Sequence, residues 1–196
     1  MRRLVTLGCS HTYGEGVKNP SKESWPAILS QMLNYELLNL GESGGSNRMI
    51  QHHIYNLDLR PDDMVICLWT YPDRYHFFED QNTHTGLINP YQNNMSDLWF
   101  KQFHTSYNEI FDNQTIVSQV NLYLEKLNIE NYNLVVNLDF DYYFKILGVN
   151  FIKADFTKNY LENFPRGIDE WHMGVEGNKA YAHFIYMCIN SYSPII

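Results

Sequence analysis

Cysteine is scarce in this chain. Its three cysteines, Cys9, Cys67 and Cys188, are widely separated and odd in number. None stands in a C-x-x-C spacing, so neither a disulfide framework nor a zinc site is indicated, and a reducing compartment suits the chain. Basic residues are few as well, 14 Lys and Arg against 22 Asp and Glu, for a net charge of −8. No Lys/Arg block occurs, which argues against a nucleic-acid phosphate backbone as partner. Long apolar runs are missing too. Nothing approaches the length of a membrane span. The N-terminal run Leu4-Val5-Thr6-Leu7 falls short of the ~7–15 residues of a signal-peptide core. The expectation is a soluble, cytoplasmic or otherwise unexported protein with no membrane partner. The histidines outside the motifs below show no His-x-x-x-His or Cys pairing, so no metal is expected.

What is present is ordinary for a globular domain. At 196 residues, 44% hydrophobic and 18% charged, the chain is long enough for one core and is read as a single domain over 1–196. Aromatics are plentiful, with 15 Tyr, 11 Phe and 4 Trp. Most should be core, although aromatic faces also stack on sugar rings. The abundance of Asn and Tyr fits an A/T-rich genome, such as a viral one.

Short apolar runs alternate with amphipathic stretches. Leu4–Leu7, Glu36–Leu40, Met64–Trp69, Asn133–Leu138 and Val149–Ile152 read as strands. Helical spacing runs over Ser24–Leu33, from Ser46 or Asn47 to about Leu57, over Ser96 to about Leu127, and from Gly174 onward. An irregular excursion at about 71–94, broken by Pro72, Gly86 and Pro90, is too long to be a mere connection. The pattern predicts an α/β domain, a three-layer α/β/α sandwich around a mainly parallel five-stranded sheet. In such sheets the site lies beyond the carboxyl ends of the strands.

Those strand ends carry the chemistry-bearing residues. Ser10 follows the first strand in Gly8-Cys9-Ser10-His11, where Gly8 permits a sharp turn. A serine nucleophile needs a base and waiting oxyanion donors. Gly44, in the loop after the second strand, offers an N–H that a substrate oxygen can approach closely. Asp169-Glu170-Trp171-His172 stands just ahead of the last helix, and an Asp three residues before a His can fold back to hold one ring nitrogen.

At these positions the sequence resembles the SGNH (GDSL-type) hydrolase family. Its Gly-Asp-Ser-Leu block is similar to Gly8-Cys9-Ser10-His11. Its Asn-x-Gly-x-x-Gly block matches Asn39-Leu40-Gly41-Glu42-Ser43-Gly44, and its Asp-x-x-His block matches Asp169 to His172. The resemblance implies a flavodoxin-like fold and cofactor-free ester hydrolysis. Ser10 would be the nucleophile, Asp169 and His172 would complete the triad, and Ser10 and Gly44 would supply oxyanion N–H groups.

Two positions depart from the family pattern. Cys9 replaces the first block's Asp, which removes no catalytic group. The third block, Gly-x-Asn-Asp in the family, is replaced by Trp69-Thr70-Tyr71-Pro72-Asp73-Arg74, so its oxyanion asparagine is absent. Thr70, Tyr71 or Asn47 are the candidate substitutes, with Arg74 able to reach in. Losing one such donor typically costs ~10²–10³ in rate. His11, Trp69, Arg74 and Trp171 are expected to line the substrate cleft, with core packing as the plain alternative for the aromatics. Asp139 and Asp141 fall at the same sheet edge, where capping carboxylates are the commoner case. The favoured function is hydrolysis of a small acyl ester, such as an O-acetylated carbohydrate. The alternatives are a thioester or amide hydrolase with the same triad, and a non-catalytic SGNH-like binding or structural module with a degenerate oxyanion hole.

Overall fold

Along the central strands, successive side chains enter two different cores. Leu4, Met64, Ile66 and Leu68 face one side, and Val5, Leu7, Val65, Cys67 and Trp69 face the other. This is the period-two consequence of strand geometry, and strands buried on both faces are continuous in apolar residues. The structure is a computed structural model and describes residues 1–78, 84–88, 105–137, 139–140, 143, 145–146, 148–154 and 156–191.

Among the described residues four parallel strands form the main sheet: β1 (Arg3–Gly8), β2 (Glu36–Gly41), β3 (Met64–Trp69) and β6 (Glu130–Val135), in the order β2-β1-β3-β6. Two helices cover one face, α3 (Trp25–Leu33) and α6 (Val175–Ser191), burying Trp25, Leu29, Tyr181 and Ile185. On the other face α4 (Asn47–Asn56) and α5 (Ser106–Lys126) bury Ile50, Ile54, Val117, Val120 and Leu124. Each such side chain contributes about 1.5–3 kcal/mol when fully buried, which makes these two layers the main source of stability. Caps set the helix starts: the hydroxyls of Ser24 and Ser46 accept the N–H groups of Ala27 and Met49. The short helices α1 (Ser10–Tyr13) and α2 (Pro20–Glu23) join β1 to α3.

The three-layer α/β/α reading holds, with one correction. The expected fifth strand at Val149–Ile152 is a single bridged residue, Phe151 opposite Asn133, joined by the Ile152 N–H to the Asn133 carbonyl at 2.8 Å. A turn precedes it, and the chain soon crosses back, with the Thr157 N–H on the Val136 carbonyl. A ladder has no room to extend there. Within the expected excursion, β4 (Tyr75–Phe78) and β5 (His84–Ile88) pair antiparallel. The rest of that stretch, the start of the helix expected from Ser96, and Asp141 lie outside the described residues. Among the described residues no helix is long and apolar enough to cross a membrane.

Parallel register places the site. Gly8 pairs with Gly41, so β1 and β2 end level with each other and their following loops emerge side by side.

Candidate active site

Ser10 opens α1 directly beyond β1 and is 5% exposed. Asn39 ties this turn to β2. Its Nδ2 donates to the Thr12 carbonyl at 2.9 Å, while its Oδ1 accepts the Gly41 N–H at 3.0 Å and the Thr6 hydroxyl at 3.1 Å. One side chain thereby fixes both loops that flank Ser10.

The turn before α6 is organised by Asp169. Oδ1 accepts the backbone N–H groups of Trp171 and His172, each at 3.0 Å, and Oδ2 meets His172 Nδ1 at 2.6 Å. A carboxylate can only accept, so Nδ1 carries a proton, and in the neutral ring Nε2 is then the acceptor. Ser10 Oγ lies 2.9 Å from Nε2 and donates to it. Partial burial pushes the Asp169 carboxyl up. The bonds from the His172 N–H, its ring and the Trp171 N–H outweigh this and hold it down to about 2. The structure thus brings Ser10, His172 and Asp169 into one hydrogen-bonded line.

Two backbone donors belong to the loops at this end of β1 and β2. Among the described residues neither the Ser10 N–H nor the Gly44 N–H has an acceptor. Gly44 adopts φ 70°, a conformation that suits glycine. Its loop is drawn onto the end of β1, with the Glu42 N–H on the Gly8 carbonyl at 3.1 Å and the Gly45 N–H on the Glu42 carbonyl at 3.0 Å.

The expected substitutes for the missing asparagine are committed elsewhere. Asn47 is 1% exposed; its Nδ2 donates to Asn113 Oδ1 and the Tyr143 hydroxyl at 2.7 Å each, and its Oδ1 accepts the Thr70 N–H at 2.8 Å. It holds β3's exit in place and has no amide hydrogen to spare. Thr70 is fully buried. Tyr71 is partly buried, bonded to Thr157, and its phenol is pushed up by that burial. Arg74 lies over the Tyr71 ring at 4.6 Å and reaches the Gly45 carbonyl and Thr70 Oγ1 at 3.5 Å. Its contact with the Gly45 carbonyl places it against the loop that carries Gly44.

Of the expected cleft residues, Trp69 is corrected, and His11 takes the packed alternative beside His172. Trp69 is fully buried under α4 and α5, its indole N–H on Asn133 Oδ1 at 2.9 Å, because the strand's alternation turns it into the second core. His11 is 7% exposed and packs against Phe156 at 4.7 Å and edge-on to His172 at 5.1 Å. Burial first, and then the nearby His172 and Arg74, push His11 down to about 3, so it is neutral at pH 7. Trp171, by contrast, is 78% exposed in the turn that carries Asp169 and His172.

Sequence reasoning missed Glu15, whose Oε2 is 3.4 Å from His172 Nε2. Its only signal was its place between two glycines just after the Ser10 turn. A cavity of about 210 Å³ beyond Arg74, lined also by Arg48, Tyr75, Asp112 and Asn113, includes none of Ser10, Asp169 and His172 in its lining. Among the described residues no cluster of His, Cys, Asp or Glu could hold a metal ion.

No family profile and no curated protein sequence matches the chain. Solved structures do. The chain is similar to a lipolytic protein of the G-D-S-L family from Desulfitobacterium hafniense DCB-2, at TM-score 0.60 and 16% identity over 95% of this chain and 99% of that one. It is similar to the acetyl xylan esterase AlAXEase, at TM-score 0.58 and 18% identity over 95% and 99%. An acetylxylan esterase from Geobacillus stearothermophilus matches at TM-score 0.58 and 12% identity over 95% and 93%. The fold is that of the SGNH-type hydrolases.

Proposed function

We propose that this chain is a serine ester hydrolase that removes a small acyl group, such as acetyl, from a carbohydrate ester. The observation that carries the reading is the line from Ser10 Oγ to His172 Nε2 at 2.9 Å and from His172 Nδ1 to Asp169 Oδ2 at 2.6 Å. Similarity to acetylxylan esterases at low identity supports the choice of substrate class, and the exposed indole of Trp171 offers a stacking face for a sugar ring.

In this reading Ser10 Oγ attacks the ester carbonyl while His172 Nε2 takes its proton. Asp169 keeps the imidazole in the productive tautomer and stabilises the cation that forms. The Ser10 and Gly44 N–H groups receive the tetrahedral oxyanion, and the cationic edge of Arg74 adds positive potential nearby. His172 returns the proton to the leaving alcohol; water then attacks the acyl-enzyme by the same route and frees Ser10.

The test is p-nitrophenyl acetate turnover by the wild type, Ser10→Ala and His172→Ala against buffer. Saturable turnover that falls by at least about 10³ in both variants is the expected result. Wild-type rates equal to those of the variants would instead favour the non-catalytic binding module, the reading favoured by the missing third-block asparagine.

A further inference from the structure

Glu15 has no role in the reaction just described, yet it faces it. Gly14 and Gly16, at φ 98° and 91°, bracket it, and its own N–H is held by the Ser10 carbonyl at 3.1 Å. Its Oε2 lies 3.4 Å from His172 Nε2, the same nitrogen that meets Ser10 Oγ at 2.9 Å. In the neutral ring, with Nδ1–H on Asp169, Nε2 is an acceptor, and two acceptors cannot bond. Among the described residues the Glu15 carboxylate has no other hydrogen-bond or ion-pair partner, and its side chain is 31% exposed. An open, charged acceptor therefore stands beside the nitrogen that delivers the proton.

That position has a chemical meaning. The leaving oxygen must come within hydrogen-bond distance of His172 Nε2 to receive its proton. Glu15 Oε2 is already near that nitrogen, so the leaving oxygen and the carboxylate become neighbours. In a polyol, the hydroxyl on the carbon next to the esterified one lies a hydrogen-bond length from the leaving oxygen, and it can donate to Glu15 as the ester is cleaved. An alkyl alcohol brings no donor and strips water from the carboxylate without replacing it. A carboxylate-bearing alcohol is repelled.

We propose that Glu15 is a specificity-determining residue that reads a free hydroxyl next to the ester on the alcohol side, so that the site prefers partly acylated polyols to simple alkyl esters. This inference rests on the serine-esterase reading of Ser10, His172 and Asp169 and names the group by which that site selects its alcohol.

The experiment measures kcat/KM for glycerol 1-acetate and for propyl acetate, by acetate release, in the wild type, Glu15→Ala, Glu15→Gln and Ser10→Ala. The wild type should prefer the glycerol ester. The ratio should fall about tenfold or more in Glu15→Ala and by less in Glu15→Gln, which keeps a neutral acceptor. A ratio unchanged by Glu15→Ala, or both esters slowed in equal proportion, overturns the proposal, the second result making Glu15 a partner of His172 alone. A wild type no faster than Ser10→Ala on either ester overturns the serine-esterase reading and this inference together, and the Ser10→Ala arm tells that failure from the others.

Discussion

Gly16 and Gly167 meet backbone to backbone. The Gly16 carbonyl accepts the Ile168 N–H at 2.8 Å, and a Cβ on Gly167 would lie inside contact distance of that same carbonyl. On its other side a Cβ on Gly16 would come within 2.8 Å of the His172 Cβ. This contact keys the turn that carries Asp169 and His172 to the loop that follows Ser10, and so sets the gap between residues far apart in the chain.

Gly167→Ala should therefore act on both stability and rate. The added methyl has only backbone to push against, so overpacking should cost about 1–3 kcal/mol. Displacing His172 from Ser10 should lower kcat at least about tenfold, since small misplacements are expensive in a positioned site. Thermal unfolding together with ester turnover checks this. A variant with wild-type melting and wild-type kcat would show that the contact sets nothing.

Asp169→Asn separates the two jobs of the Asp169 carboxylate. The amide oxygen can still accept the Trp171 and His172 N–H groups, but the charge beside Nδ1 is gone and the tautomer is no longer fixed. We expect kcat to fall by about 10³–10⁴ with little change in KM. The carboxyl is held at about 2 against an ordinary 3.8, so its contribution to stability is full above pH 4 and is lost as the pH falls toward 2. The stability gap between wild type and variant, followed by urea unfolding, should close over that interval. A gap that widens on acidification would contradict the assignment.

How much of this was legible in the sequence depends on how far apart the partners lie. Ser10, Gly44 and the Asp169–His172 pair stand out in the sequence because each lies in a loop near the end of a strand or ahead of a helix, where the sheet-edge rule looks for a site, and because their order resembles that of a known hydrolase family. The role of Asn47 was not, because its partners Asn113 and Tyr143 lie 66 and 96 residues away. A polar residue at the start of a helix looks the same whether it points into a cleft or into a buried network. Trp69 was misplaced for a simpler reason: the strand's apolar run extends to its last residue, so period-two alternation could not say which face it took. Glu15 had no pattern at all, since its meaning comes only from a turn near the other end of the chain.

Asn47→Asp tests the structural role given to that residue. The variant keeps an oxygen for the Thr70 N–H but loses both amide hydrogens, leaving Asn113 Oδ1 facing a carboxylate. Breaking this buried network should destabilise the protein by about 2–4 kcal/mol. Below its melting temperature kcat should stay within a few-fold of wild type, whereas loss of an oxyanion donor costs ~10²–10³. A well-folded variant with kcat down a hundredfold would return Asn47 to the oxyanion hole.

His11→Leu addresses the acid stability of the site. His11 is buried, its Nδ1 has no hydrogen-bond partner among the described residues, and it is pushed down to about 3 from an ordinary 6.5. On acidification the unfolded chain takes up this proton near pH 6.5, while the folded protein refuses it until about pH 3. The unfolded state then binds more protons, so stability falls steadily over that interval. Leucine carries no such proton and leaves no orphaned ring nitrogen. At pH 7 the variant should unfold within about 1.5 kcal/mol of the wild type, since an apolar side chain of similar bulk suits the packing against Phe156. At pH 4 it should be the more stable of the two. Urea unfolding at several pH values decides the matter: parallel curves for the two proteins would mean that His11 is protonated in the fold and finds a partner for its charge.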